Sequence, residues 1–290
     1  MTGRFAPSPT GDLHVGNLRT ALASWFDARE RGGAWLVRFE DLDGAVSDRA
    51  TGARQLDSLA ALGMDPDQEP LWQSDHLDRY REAIDALVTD DRTYPCFCTR
   101  REIREAASAP HGPPQGMYPG ICTNLSTADR ERRAGDRPAA LRFRSAGAEV
   151  VFDDRNNGPQ EFVVDDFVVR RNDGVPAYNL VVVVDDAAQG VTTVVRADDL
   201  LSSTARQILL AEALDLGRFT YAHVPLVVNR TGDRLTKRDG AMTLPQIAEF
   251  GWSAADLKAW ILDSMGLGPN DPWSSRRHPS DWFNVWTPPG

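Results

Sequence analysis

The first forty residues constrain this chain more than any other part of it. A short apolar run, Gly3 to Ala6, leads into a turn-rich stretch holding Pro7, Pro9 and Gly11. From about Asn17, Leu18, Ala21, Leu22, Trp25 and Phe26 recur at helical spacing, and Gly32-Gly33 closes that element. Ala34 to Phe39 then reads as a buried strand ending on the acidic Glu40, Asp41 and Asp43. Two strands joined through a helix cannot form a hairpin. The connection demands parallel strands and a right-handed crossover, hence an α/β fold built on a parallel sheet.

Helical patterns follow at about 48–63 and 77–90. From Tyr94 to about Pro138 the character changes. Three cysteines, a Pro/Gly-rich stretch from Ala109 to Gly120 and an arginine-rich helix suggest an insertion with a small fold of its own. Strand-like runs are expected at Ala140–Phe143, Glu149–Phe152, Phe162–Val169 and Thr192–Arg196, with an apolar block at Leu180–Val184. A helix from about Ser202 to Leu214 precedes another buried strand, Val224–Val228, and a turn at Asn229-Arg230-Thr231-Gly232. A helix from about Ser253 to Met265 leads into a Pro- and Trp-rich tail.

Composition narrows the function classes. With 41% hydrophobic residues the chain can bury a sizeable core, and no run of 18 apolar residues exists to span a bilayer. The first residues lack the layout of a secretory signal, and three cysteines are too few for a disulfide framework. A cytoplasmic protein with no membrane association is the expectation. The net charge of −10 argues against nucleic acid as a bulk polyanion partner. Local basic groups still permit phosphate contacts: Arg100, Arg101 and Arg104; Arg130, Arg132, Arg133 and Arg137; Arg142 and Arg144; Arg170 and Arg171. Of 32 cationic residues only Lys237 and Lys258 are lysine, a hint that a compact point charge is wanted at one of them.

Three places carry candidate chemistry. The loop from Pro7 to Asn17 lies between a strand and a helix, where backbone amides and the helix dipole favour an anion. There His14 is a donor to phosphate oxygens, and Gly11 and Gly16 permit close approach of a ligand, Gly16 leaving room for a flat base. Far along the chain, Arg234-Leu235-Thr236-Lys237-Arg238 supplies three cations able to neutralise a polyphosphate leaving group. Taken singly, these are an ordinary loop and a solvated basic turn. The third is Cys96, Cys98 and Cys122, three thiolates that need a fourth ligand for a tetrahedral zinc site, with His111 and Tyr118 as candidates.

Together, P-S-P-T-G-D-L-H-V-G around His14 and R-L-T-K around Lys237 resemble the two signature motifs of class I aminoacyl-tRNA synthetases. The opening R-F-A-P-S-P-T-G, R-F-E-D-L-D at 38–43, Y-N-L-V-V-V-V-D-D at 178–186 and G-V-T-T-V-V-R at 190–196 resemble the glutamyl branch. R-A-D-D-L-L at 196–201 is similar to the short glutamyl-queuosine tRNA(Asp) synthetases, as is a chain ending before a helical anticodon-binding domain. Ala197 and Ala205 depart from the family's glycine and proline.

The resemblance implies a Rossmann-like catalytic domain interrupted by a zinc-containing insertion. Its halves would be residues 1–93 and 178–245, the insertion 94–177, and a short helical segment and tail 246–290. It implies ATP-dependent, tRNA-independent activation of L-glutamate, with magnesium accompanying ATP, and transfer of glutamate to the queuosine base of tRNA(Asp) by a monomeric ligase. His14 and Lys237 would be catalytic, and ATP would also meet Gly16, Asn17 and Arg238. Glutamate would meet Arg4, Phe5, Ala6, Pro7, Ser8, Glu40, Tyr178 and Arg196, with Glu40 on the α-ammonium. The family pattern C-x-C, Y-x-x-x-C selects Cys96, Cys98, Tyr118 and Cys122 for one structural zinc. Alternatives are charging of the 3′ end of tRNA(Glu), a zinc-stapled RNA-binding module without activity, and ligation of an amino acid to a small molecule.

Overall fold

The computed structural model describes residues 1–107, 117–233, 235 and 241–287. Strand β1 (Thr2–Phe5), helix α1 (Val15–Glu30) and strand β2 (Ala34–Phe39) form the expected crossover unit. The two strands are parallel, in register from Thr2↔Ala34 to Phe5↔Val37. Helix α2 (Arg49–Ala61) starts on Asp48, whose carboxylate accepts from the Thr51 amide and hydroxyl. It returns the chain to β3 (Leu71–Trp72), parallel to β2, and α3 (Leu77–Thr89) follows.

The middle of the chain contributes β4 (Thr93–Cys96), α4 (Arg100–Ala107), α5 (Thr127–Asp136), β5 (Ala140–Phe143), β6 (Glu149–Asp154), β7 (Gly158–Val163) and β8 (Phe167–Arg170). Then come α6 (Tyr178–Ala188), β9 (Thr193–Ala197), α7 (Leu201–Ala213), β10 (Thr220–Val224), α8 (Leu244–Glu249) and α9 (Ala254–Ser264). Strand β10 is parallel to β9. The two parallel halves meet at β1 and β9, where the Thr192 amide donates to the Thr2 carbonyl at 2.9 Å and the Thr2 amide to Thr192 Oγ1 at 3.0 Å.

Strand alternation sends neighbouring side chains to opposite faces. Phe5, Trp35 and Val37 join α1, α9 and the tail's Trp273, Trp282 and Trp286 in one apolar cluster. Arg4 and Arg38 point the other way, toward α6. A second cluster joins α3, α6, α7, Phe143 and Phe167. The aperiodic tail thus packs on the body. Buried Arg19 ties it down, donating to the carbonyls of Phe283 and Pro225 and to Asn284 Oδ1.

Three sequence expectations need correction. The run Phe162–Val169 is two strands, because Asp166 leaves the ladder to accept from the Ser145 amide and the Tyr94 hydroxyl. Of the run Val224–Val228 only Val224 is in a strand, one that starts at Thr220; Pro225 has no amide to extend the ladder, and Val228 makes an isolated bridge to Val285. The segment 94–177 is not one unit. Strands β4, β5 and β8 form an antiparallel sheet beside the cysteines, whereas the β6–β7 hairpin pairs through Asp154↔Tyr221 with β10 and extends the β9–β10 sheet. Leu180–Val184 is helical although valine is a weak helix former, since burial of all five side chains outweighs propensity. Helix α8, which no periodicity signalled, starts at Thr243 with a capping box.

Candidate active site

His14 is the N-cap of α1. Its Nδ1 accepts from the amides of Gly16 at 3.1 Å and Asn17 at 3.4 Å, and Asn17 Oδ1 accepts from the His14 amide at 3.2 Å. With Nδ1 an acceptor, the neutral imidazole carries its hydrogen on Nε2. The absence of a side chain at Gly16 makes room for this ring: a Cβ there would sit 3.0 Å from His14 Cε1 and 3.1 Å from Nδ1. Asn17 spends its side-chain oxygen on the cap.

Lys237 and Arg238 lie outside the described residues, as does His111. The residues flanking the basic segment are described. Leu235, Ala241 and Met242 are buried in the cluster that holds Leu13 and Val15. The Val15 amide donates to the Met242 carbonyl at 3.1 Å, and His14 forms a bridge with Thr243. The chain therefore leaves 236–240 against the start of α1.

Beyond the carboxyl ends of β1 and β2, where ligands bind in open α/β sheets, lies a cavity of about 810 Å³. Ser8, Glu40, Gln73 and Tyr178 line it from the parallel half, Cys98 and Arg142 from the cysteine-bearing half. The Glu40 amide donates to the Pro7 carbonyl at 3.0 Å, tying the first loop to the end of β2. Phe5 is a core residue stacked on Trp35, so the loop reaches the cavity through Ser8.

Beneath the cavity is a charged layer. Arg4 Nε and Arg38 Nη1 both donate to Asp186 Oδ1, at 3.1 and 2.7 Å. Asp185 accepts from Tyr80, Arg79 and Gln73. Despite burial, Arg4 and Arg38 hold the Asp186 carboxyl below its ordinary value. Glu40 goes the other way: burial, reinforced by Asp186, pushes its carboxyl up to about 7 against the pull of Arg38 and Arg4. Tyr178, at the first turn of α6, is 39% exposed, and its phenol is raised by loss of solvent and by Glu40. Arg196 is 5% exposed. It donates from Nε to His223 Nε2 at 3.0 Å and from Nη2 to Thr204 Oγ1 at 2.8 Å, while Nη1 is buried with no hydrogen-bond partner among the described residues. Arg4, Glu40, Tyr178 and Arg196 sense one another's charge.

The sequence reading missed Arg38, Asp185, Asp186, His223, Asp154 and Thr204. A signal existed for the aspartates, since two carboxylates ending an apolar block are buried only if cations meet them.

The cysteines converge. All three Sγ atoms lie within 4.8 Å of one another, with Cys98 and Cys122 at 3.5 Å. The Tyr118 oxygen is 3.4 Å from Cys96 Sγ and 3.6 Å from Cys98 Sγ. Tetrahedral zinc with bonds of about 2.3 Å separates its sulfurs by about 3.8 Å, so the donor set has the right size and softness. Arg142 stacks on Tyr118 at 3.6 Å and donates from Nε to Cys96 Sγ at 3.1 Å, placing positive charge where thiolates would gather.

A parallel sheet with a charged cavity beyond its carboxyl ends and a histidine-capped first helix define the class. The family model for the catalytic domain of class I tRNA synthetases (E and Q) matches residues 1–261. Among relatives, a glutamyl-Q tRNA(Asp) synthetase of Nocardia farcinica is 55% identical over 93% of this chain and 86% of its own length. Its counterpart from Ralstonia nicotianae is 48% identical over 83% of this chain and 78% of its own. The chain belongs to the glutamyl-Q tRNA(Asp) synthetase family of class I aminoacyl-tRNA synthetases. Among solved structures, a glutamate tRNA ligase from Elizabethkingia meningosepticum, in complex with its amino acid, superposes with a TM-score of 0.72 at 28% identity. The match covers 87% of this chain and 53% of that one, so the chain spans about half the length of that ligase. Among the described residues no helix is long and apolar enough to cross a membrane.

Proposed function

We propose that this chain activates L-glutamate with ATP, without tRNA, and transfers the glutamyl group to the queuosine base of tRNA(Asp). A glutamate carboxylate oxygen attacks the α-phosphorus of ATP, pyrophosphate leaves, and glutamyl-adenylate forms. A nucleophilic group of the modified base then attacks the activated carbonyl and AMP departs. No protein base is needed in the first step, because the attacking carboxylate is already ionised. Catalysis is positioning plus charge stabilisation.

The observation that carries this reading is a single site holding an acid and unpaired cationic hydrogen-bond capacity. Glutamate brings one ammonium and two carboxylates. Glu40 receives the ammonium, whose charge restores the carboxylate form that burial disfavours. Arg196, which lies behind the lining and acts on Glu40 and Tyr178 through its charge, receives a carboxylate at Nη1, and Tyr178 and Ser8 line the cavity beside Glu40. Arg4 contributes charge from below, its Nε being committed to Asp186. His14 donates through Nε2 to the phosphates, with Gly16 and Asn17 holding the ring in place, and Lys237, assisted by Arg238, neutralises the leaving pyrophosphate. ATP enters with magnesium.

Gly16→Ala crowds the ring and is expected to lower ATP–pyrophosphate exchange about tenfold, since small misplacements of a catalytic group are costly. Wild-type exchange would show that the ring is not used.

Cys96, Cys98, Tyr118 and Cys122 hold one structural zinc, its coordination closed by protein. Chelation or Cys98→Ala is expected to abolish metal binding and to speed proteolysis of the cysteine-bearing lobe. Metal analysis of reduced protein checks this, and a metal-free, equally resistant wild type would refute it.

The decisive experiment transfers labelled glutamate to tRNA with and without queuosine. Label that requires queuosine and survives removal of the 3′-terminal adenosine supports base modification; label lost with that adenosine would instead indicate 3′ charging.

A further inference from the structure

Arg196 does not hold its own direction. Arginine has a planar fork on a flexible stem, and its orientation is set by whatever its nitrogens meet. Here two of the three are engaged: Nε by His223 Nε2 at 3.0 Å and Nη2 by Thr204 Oγ1 at 2.8 Å. Two fixed points in a rigid plane determine where Nη1 is aimed.

His223 accepts only in one tautomer. Its Nδ1 lies 2.6 Å from Asp154 Oδ2, so the hydrogen sits on Nδ1 and Nε2 keeps its lone pair for Arg196. The three residues are 2%, 1% and 5% exposed for Asp154, His223 and Arg196. Asp154 is fixed in turn: its Oδ1 accepts from the amides of Asn156 at 3.1 Å and Asn157 at 3.0 Å, and the His223 amide donates to Oδ2 at 3.0 Å. Asp154 ends β6, so the hairpin that joins β10 delivers the carboxylate to the sheet.

We infer that Asp154 and His223 are positioning residues for amino-acid binding, acting through Arg196 by fixing the imidazole tautomer that accepts from its Nε. Burial and Arg196 hold the imidazole below its ordinary value, so it is neutral at pH 7, while hydrogen bonds from His223 and Asn157 bring the Asp154 carboxyl down to about 2 against the cost of burial. The inference rests on the glutamate reading above and adds which residues set its specificity.

Asp154→Asn is the isosteric test. The amide oxygen keeps the contacts of Oδ1, while its NH2 faces Nδ1, forces the hydrogen onto Nε2 and sets two donors against each other at Arg196. Such outer positions typically change affinity about 10–100-fold. In ATP–pyrophosphate exchange, KM for glutamate is expected to rise within that range while KM for ATP stays within about twofold, a split that general loosening of the fold would not produce. A second pair guards against misfolding. The Gln side chain places an acceptor near imidazole Nε2 and Asn near Nδ1. His223→Gln is therefore expected to retain most glutamate affinity and His223→Asn to lose it. An unchanged KM for glutamate in Asp154→Asn, an equal rise in both KM values, or equal behaviour of the two His223 variants would overturn the inference. If wild type itself shows no glutamate-dependent exchange, the failure lies in the proposed function instead.

Discussion

Arg196→Ala is expected to reduce glutamate-dependent pyrophosphate exchange about a thousandfold, because removing one partner of a desolvated, hydrogen-bonded charge pair costs about 3–5 kcal/mol. The residue is almost wholly buried, and its Nη1 has no other partner among the described residues. Alanine would leave the substrate carboxylate without this donor, and the neighbouring Arg4 is committed through Nε to Asp186. Discrimination should also fall. A neutral side-chain amide cannot neutralise a buried guanidinium, so the wild type is expected to favour glutamate over glutamine and the variant to lose that preference. Arg196→Lys returns a charge without the fork that meets His223 and Thr204 together, and should recover only part of the activity. Exchange rates at varied glutamate and glutamine concentrations check all three statements, and an unchanged KM for glutamate would refute the assignment.

Arg38→Met should destabilise the chain by about 3–5 kcal/mol, a large fraction of the roughly 5–15 kcal/mol typical of a folded protein. Arg38 is fully buried beside both Asp185 and Asp186. Methionine fills similar space but brings no charge, so two buried carboxylates are left with Arg4 on one and Arg79 on the other. Only Nη1 of Arg38 makes hydrogen bonds, to Asp186 and Gln189, whereas Nε and Nη2 make none. Its contribution is therefore charge more than geometry, and Arg38→Lys should cost clearly less. The sign with pH follows from Asp186. Its folded carboxyl lies below the unfolded value, so its share of stability is present at neutral pH and is lost as pH falls through the folded value. Chemical denaturation at pH 7 and at lower pH measures both effects. A stability loss under about 1 kcal/mol, the level of an exposed ion pair, would show that the layer is not the charged core described.

Local pattern made much of this architecture legible. The helical recurrence of Leu18, Ala21 and Leu22 marks α1, which repeats with the helical period, and the continuous apolar run Ala34–Phe39 marks β2, which is buried on both faces. Errors fell where a side chain or a proline interrupts a run: Asp166 divides one apolar stretch into two strands, and Pro225 stops another. Glu40, Tyr178 and the cysteines were likewise visible, since short motifs keep such residues together. Their supporting partners were not, because a partner is chosen by the fold: Arg4 and Asp186 are 182 positions apart, and Asp154 and His223 are 69.

Taken alone, the residues determined the parallel α/β class, the family resemblance and the candidate reactive groups, since period and motif are properties of neighbouring positions. Only the tertiary structure decided that the β6–β7 hairpin joins the β9–β10 sheet, that two arginines meet one buried aspartate, and that a histidine aims Arg196. The reason is physical: buried charges are stable only where distant strands and helices bring compensating groups within hydrogen-bond distance, and chain order does not record that distance.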